Sequence, residues 1–252
     1  MNRIGSTFWP GLRAIAAGLW LATAAFSPAR ADTAEQIADR AEMLRAINGH
    51  ARTTPDVLGR DHIDPEVMRV MGELPRHAFV PGDEAGHAYE DRPLPIGHGQ
   101  TISQPFIVAL MTDLLAVGPD AVVLEVGTGS GYQAAVLARL VGQVHTIEII
   151  PELADGARER LERLGFANVE TYVGDGYYGV ADMAPFDGIV VTAAANQVPP
   201  PLIQQLKPGG RMIIPVGSGF ALQHLMIVEK DADGRVRTRQ TLPVRFVPLT
   251  RG

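Results

Sequence analysis

The sequence predicts an α/β fold, a doubly wound and mostly parallel sheet with a small N-terminal helical addition. Three observations predict it. From residue 121 onward, short apolar runs alternate with helical patterns, as in successive β-α-β units. The first of these runs ends in a glycine-rich turn, Glu125-Val126-Gly127-Thr128-Gly129-Ser130-Gly131-Tyr132. Upstream of residue 106, helix-start signals dominate instead.

Taken in order, Asp32-Thr33-Ala34-Glu35 has capping-box spacing and opens a helix to about Ile47. Asp64-Pro65-Glu66 reads as an N-cap, a proline at N1 and a first-turn acid, starting a helix that ends near Leu74-Pro75. Residues 81–95 read as loop. Gly97-His98-Gly99-Gln100-Thr101-Ile102-Ser103-Gln104-Pro105 reads as a polar, backbone-flexible loop. Pro105 then starts a helix with one broad apolar face, stopped by Gly118-Pro119. Strands are expected over residues 121–125, 144–149, 169–173, 186–192 and 211–215. Helices over 132–140, 151–164 and 199–206 fall between them. Two closing strands, 222–230 and 241–247, flank an Asp233-Gly234 turn. Met68, Met71 and Met111 read as core on helix faces.

Length and a hydrophobic content of 46% suit one globular domain. The formal charge of −6 disfavours non-specific nucleic-acid binding, which needs basic surface. With no cysteine there are no thiolate nucleophiles or disulfides, and no metal site is expected. Arg3 and Arg13 flank the chain start, residues 14–26 are apolar and uncharged, and Ser27-Pro28-Ala29-Arg30-Ala31 carries an A-x-A pattern. This layout predicts a cleavable secretory signal over residues 1–31 and a periplasmic or secreted protein. An uncleaved anchor and a cytoplasmic protein remain alternatives, although the run is short for a transmembrane helix.

In doubly wound sheets, ligands bind beyond the carboxyl ends of the strands. Gly127, Gly129 and Gly131 follow the first strand, Glu148 ends the second and Asp175 follows the third. An acid about twenty residues past the glycines can take a ribose hydroxyl pair. The spacing is G-x-G-x-G, and Tyr132 stands where a dinucleotide site needs its third glycine. That favours S-adenosylmethionine, which has no pyrophosphate, over NAD. A tight strand-to-helix turn alone would also use these glycines, and Asp175 between two glycines is also a turn former.

Together these residues resemble the protein-L-isoaspartate (D-aspartate) O-methyltransferase family. The resemblance runs from about Asp64 to Gly252. It rests on Pro93-Leu94-Pro95-Ile96-Gly97, residues 99–105, residues 123–132, Gly174-Asp175-Gly176, Pro185-Phe186-Asp187, residues 191–194, residues 206–210 and Arg245-Phe246-Val247-Pro248-Leu249. The glycine turn is shared with many methyltransferases. The Thr101-Ile102-Ser103 block and the Val247-Pro248-Leu249 ending are more specific.

The resemblance implies a Rossmann-like S-adenosylmethionine-dependent methyltransferase. It would methylate the free α-carboxyl of L-isoaspartyl and D-aspartyl residues in damaged proteins, opening their repair. Residues 32–105 would form the helical and substrate-loop part, and 106–252 the cofactor core. Ser103 falls on the active-site serine. Gly127, Thr128, Gly129, Gly131, Tyr132, Glu148, Ile149, Asp175 and Gly176 fall on cofactor contacts. Thr101, Ile102, Gln104 and Thr250 fall on the substrate side. The implied partner is an isoaspartyl-containing protein or peptide, the implied form a monomer, with no membrane contact after cleavage.

A carboxylate nucleophile is ionised near neutral pH, so no general base is needed, in keeping with a loop of hydroxyls and amides. Ser103 would aim that carboxylate, or else serve as N-cap before Pro105. His98 is given no role. His87 and Tyr89 could shape a groove or pack in the core. A leader is unusual for the family, whose cofactor is made in the cytosol. An exported, non-catalytic isoaspartyl-peptide binder is therefore the alternative function, and an NAD-dependent oxidoreductase a weaker one.

Overall fold

In the computed structural model, which describes residues 32–218 and 222–252, the chain from Asp32 forms one compact unit. The expected leader over residues 1–31 lies outside the described residues. The first helix, α1 (Ala34–Thr53), is capped by Thr33, which accepts from the Gln36 N–H while the Gln36 side chain accepts from the Thr33 N–H. The capping box thus sits one residue later than the Asp32–Glu35 reading, because the Asp32 carboxylate is taken by Arg40 at 2.6 Å. α1 also continues past Ile47. Met43, Ile47 and Ala51 form one buried stripe at i, i+4, i+8, and its packing outweighs the helix-weakening Gly49. A short helix absent from the sequence reading, α2 (Pro55–Leu58), follows. Then comes α3 (Pro65–Glu73), with Asp64 accepting from the Glu66 N–H at 2.8 Å as its cap.

Residues 76–79 form a 3-10 turn, and within the segment read as loop residues 82–87 form another. The segment read as a flexible loop is an antiparallel hairpin, β1 (Leu94–Gly97) and β2 (Gln100–Ile102). Leu94 and Ile102 face each other and are both buried, which pins its register. Its turn is tight, with positive φ at Gly97, His98 and Gly99.

The core alternates as expected: α4 (Pro105–Leu115), β3 (Val122–Val126), α5 (Tyr132–Ala138), β4 (Gln143–Glu148), α6 (Pro151–Arg163), β5 (Val169–Val173), β6 (Phe186–Val191), α7 (Pro200–Gln205), β7 (Leu206–Val216), β8 (Gln223–Lys230) and β9 (Val236–Val244). The sheet order is β5-β4-β3-β6-β7-β8-β9; the first five strands are parallel, and β8 and β9 are antiparallel. Alternate strand residues feed two cores. Val123, Val144, Val190 and Ile213 pack with α4 and α5 on one face, and Leu124, Val126, Ile189 and Ile214 with Leu202 of α7 on the other.

Two boundaries differ from expectation. β7 begins at Leu206, and Lys207-Pro208-Gly209-Gly210 is absorbed into it beside an irregularity at Phe186/Gly188. β9 occupies 236–244 rather than 241–247. As an edge strand, largely exposed over residues 236–240, it lacks the apolar alternation that a sequence reading looks for. Its turn is closed by Asp231, which accepts from the N–H groups of Asp233 and Arg235.

Candidate active site

Strand order reverses at β3, whose neighbours are β4 on one side and β6 on the other. The crevice beyond β3 and β6 is therefore where a ligand is expected. The glycine turn sits there. Gly127 has φ +97°, and a Cβ on it would lie 2.5 Å from Thr192 Oγ1. Thr192 at the end of β6 donates to the Gly127 carbonyl at 2.6 Å. A side chain at Gly127 would break this contact between the ends of β3 and β6. Gly131 (φ +84°) instead lets α5 approach α6, a Cβ there lying 3.2 Å from Leu161.

Glu148 is 7% exposed and already engaged. One oxygen accepts from the Gly129 N–H at 2.9 Å, and the other from Ile149 at 2.9 Å and Ile150 at 3.0 Å. The acid read as a ribose ligand thus also shapes the glycine turn. A carboxylate offers about four acceptor positions, so one stays open.

Four more of the expected site residues have contacts of their own. The Tyr132 ring is 1% exposed, packed edge-on against Phe79 with its hydroxyl on Met71 Sδ at 3.7 Å. Its bulk belongs to the core, while the residue also lines the cavity beside the glycine turn. Asp175 lies at the next strand end, but its carboxylate accepts from the Tyr177 N–H at 3.0 Å and from Arg251 Nε at 2.9 Å. Burial alone would raise this carboxyl; the Arg251 and Tyr177 bonds leave it lowered. Gly176 presses on β3, with a Cβ 2.4 Å from Val126 Cγ1. Thr250 is exposed and lines neither cavity described below.

The hairpin meets the glycine turn. A cavity of about 60 Å³ is bounded by Thr101, Ile102 and Ser103 on one side and Gly127, Thr128 and Gly129 on the other. A groove of about 490 Å³ adjoins it, sharing Thr101, Ser103, Thr192 and Val247 and reaching Gln104, Phe106 and His50. Ser103 is not the helix cap; Gln104 is, without a capping side-chain bond. The Ser103 carbonyl accepts from Arg76 Nη2 at 2.7 Å. Arg76 is fully buried, donates to the Ala88 carbonyl at 2.7 Å and lies 4.8 Å over the Tyr132 ring. Burial lowers its pKa, with Tyr132 the first group opposing that. Asp91 holds the other end of the segment, accepting from the Phe106 N–H at 3.0 Å and from Gln104 Nε2 at 2.9 Å, with His50 Nε2 2.9 Å from its Oδ2.

Sequence reasoning missed Glu125. It is fully buried on β3, lines the cavity, and accepts from Thr146 Oγ1 at 2.6 Å through one oxygen. Its other oxygen, Oε1, is buried with no partner. Burial pushes its carboxyl up to about 8, with the Thr146 hydrogen bond opposing and nearby Glu148 adding to the rise. An acid among apolar strand residues was the available signal. Among the described residues, no three metal-ligating side chains converge.

Residues 59–252 match the family model described as Protein-L-isoaspartate(D-aspartate) O-methyltransferase (PCMT). The chain belongs to this family. Among its relatives, the Protein-L-isoaspartate O-methyltransferase 2 of Syntrophobacter fumaroxidans is 64% identical over 215 residues, covering 85% of this chain and 87% of that one. The Protein-L-isoaspartate O-methyltransferase 1 of Cupriavidus necator is 63% identical over 210 residues, covering 83% and 81%. A solved protein-L-isoaspartate O-methyltransferase superposes with a TM-score of 0.73 at 30% identity; the match covers 83% of this chain and spans 65% of that one. A putative family member from Plasmodium falciparum, solved in complex with S-adenosyl-L-homocysteine, shares the fold at TM-score 0.70 and 23% identity, covering 84% and 98%. Within this family member, α1 lies ahead of the matched residues, yet its His50 lines the groove beside Ser103.

Proposed function

We propose that this chain methylates the free α-carboxyl of L-isoaspartyl and D-aspartyl residues in aged proteins, with S-adenosylmethionine as donor. The family match supports the reaction. The observation that carries the site is the juxtaposition of Ser103 and the glycine turn across one cavity that opens into a peptide-sized groove.

The cavity residues fit the donor. A buried carboxyl oxygen without a partner calls for a polar group to satisfy it, and Glu125, whose Oε1 is such an atom, lines the cavity. Glu125 would receive the amino-acid ammonium, the Gly127–Gly129 backbone would approach the donor, Glu148 would offer its open acceptor position to the ribose, and Asp175 would stand at the next strand end. When bound, the cofactor supplies an electrophilic methyl on a sulfonium. The attacking carboxylate needs no base, so the protein's part is orientation and exclusion of water, of which orientation can contribute about 7–11 kcal/mol. Ser103 holds the carboxylate through its hydroxyl, and Arg76 fixes the Ser103 backbone. An intact cofactor half speaks against a non-catalytic binder.

Mass spectrometry of a peptide pair differing only in the isoaspartyl link tests this. A methyl ester on the isoaspartyl carboxylate alone supports the reading; ester on both peptides, or on neither, overturns it. We further propose that residues 1–31 are an export signal and 32–252 a single mature domain acting outside the cytoplasm as a monomer. N-terminal sequencing of the cellular protein checks the cleavage.

A further inference from the structure

The groove beside Ser103 has a one-sided charge. Its lining includes no aspartate or glutamate, and its chargeable side chains are His50 and Arg245. His50 is already engaged, with Nε2 2.9 Å from Asp91 and its ring stacked on Phe106 at 4.8 Å. Arg245 is exposed and has no ion pair among the described residues. Residues 1–31 and 219–221 contain no acid that could supply one. Arg245 is thus the unpaired arginine of the groove lining, in a chain of net charge −6.

Its position relates it to the reacting centre. Val247, two residues on, lines both the groove and the Ser103 cavity. Two residues of extended chain span about 7 Å. A substrate peptide lying along this wall would bring a side chain one or two residues from its isoaspartyl site to Arg245.

We infer that Arg245 is a specificity residue that selects isoaspartyl sites flanked within two residues by an acidic side chain. The inference rests on the methyl transfer proposed above. The chemistry is charge pairing at a partly solvated groove mouth, so it moves relative rates between peptides and is weakened by salt.

The test uses three isoaspartyl peptides with Glu, Gln or Lys two residues from the modified site, each at low and high salt. Ratios of kcat/KM are taken within each protein, so a general loss of activity in a variant cancels. For the wild-type chain the Glu peptide is expected to exceed the Lys peptide by about fivefold at low salt, the scale of an exposed ion pair. The excess shrinks at high salt. Arg245→Lys keeps the order, and Arg245→Glu inverts it, which a merely structural role would not do. Equal rates for the three peptides in the wild type, or an order unchanged in Arg245→Glu, would overturn the inference while leaving methyl transfer intact. Failure of all three peptides to be methylated overturns the activity and the inference together.

Discussion

Replacing Glu125 with Gln tests the cofactor half of the site through protons rather than rates. The wild-type carboxyl is fully buried, one oxygen lacks a partner, and burial pushes its pKa from 4.5 to about 8. At pH 7 a group of that pKa is about nine-tenths protonated. A ligand ammonium placed against it favours the charged form. Binding of S-adenosylhomocysteine at pH 7 should therefore release about 0.9 of a proton from the wild-type protein and close to none from Glu125→Gln. Calorimetric titration in two buffers of different ionisation enthalpy reads this number directly. Stability provides a second readout. With the folded pKa raised above the unfolded one, the stabilisation is fully present below pH 4.5 and is lost as pH rises through about 8. The loss is on the order of 5 kcal/mol for a shift of that size in a fully buried group. Glu125→Gln should flatten this slope in urea denaturation between pH 5 and 9. Equal proton release by both proteins, or none by the wild type, would refute the assignment.

Other outcomes follow from the same geometry. Ser103→Ala should lower kcat/KM for isoaspartyl peptide by about 10- to 100-fold, the scale of a hydrogen bond to a charged group, with S-adenosylhomocysteine affinity unchanged by calorimetry. Gly127→Ala puts a Cβ at positive φ, 2.5 Å from Thr192 Oγ1, and should cost about 2 kcal/mol or more in urea denaturation while weakening cofactor binding. Arg76→Lys cannot span both the Ala88 and Ser103 carbonyls; stopped assays should show kcat down by about tenfold, with the circular dichroism spectrum retained. If the leader is used, sequencing of the cellular protein should find Asp32 as the first residue, and an intact Met1 would contradict export.

The centre of the parallel core was legible because β3 and β6 are buried on both faces and read as near-continuous apolar runs. The glycine turn was legible because G-x-G-x-G after a strand has few other uses. What escaped the sequence depends on contacts between distant segments. The capping box moved to Thr33 because Arg40, eight residues past Asp32, claims the Asp32 carboxylate. β9 was misplaced because an edge strand needs no apolar alternation. Tyr132 lines the cavity as its place after the glycines suggests, but that its ring is held in the core beneath Arg76 is a contact between distant segments. Glu125 looked like one more strand residue until burial left its oxygen without a partner. His50 reaches the groove from a helix about fifty residues ahead of Ser103, a distance no local pattern reports.

The central claim is that the cavity between Ser103 and the glycine turn passes a methyl group to an isoaspartyl carboxylate. Initial rates of labelled methyl transfer from S-adenosylmethionine, measured on isoaspartyl and aspartyl forms of one peptide with the chain from Asp32 onward, test it most directly. Base-labile label is expected on the isoaspartyl peptide only, sharply reduced in Ser103→Ala. Label on the aspartyl form at a comparable rate, or no label on either, would contradict it.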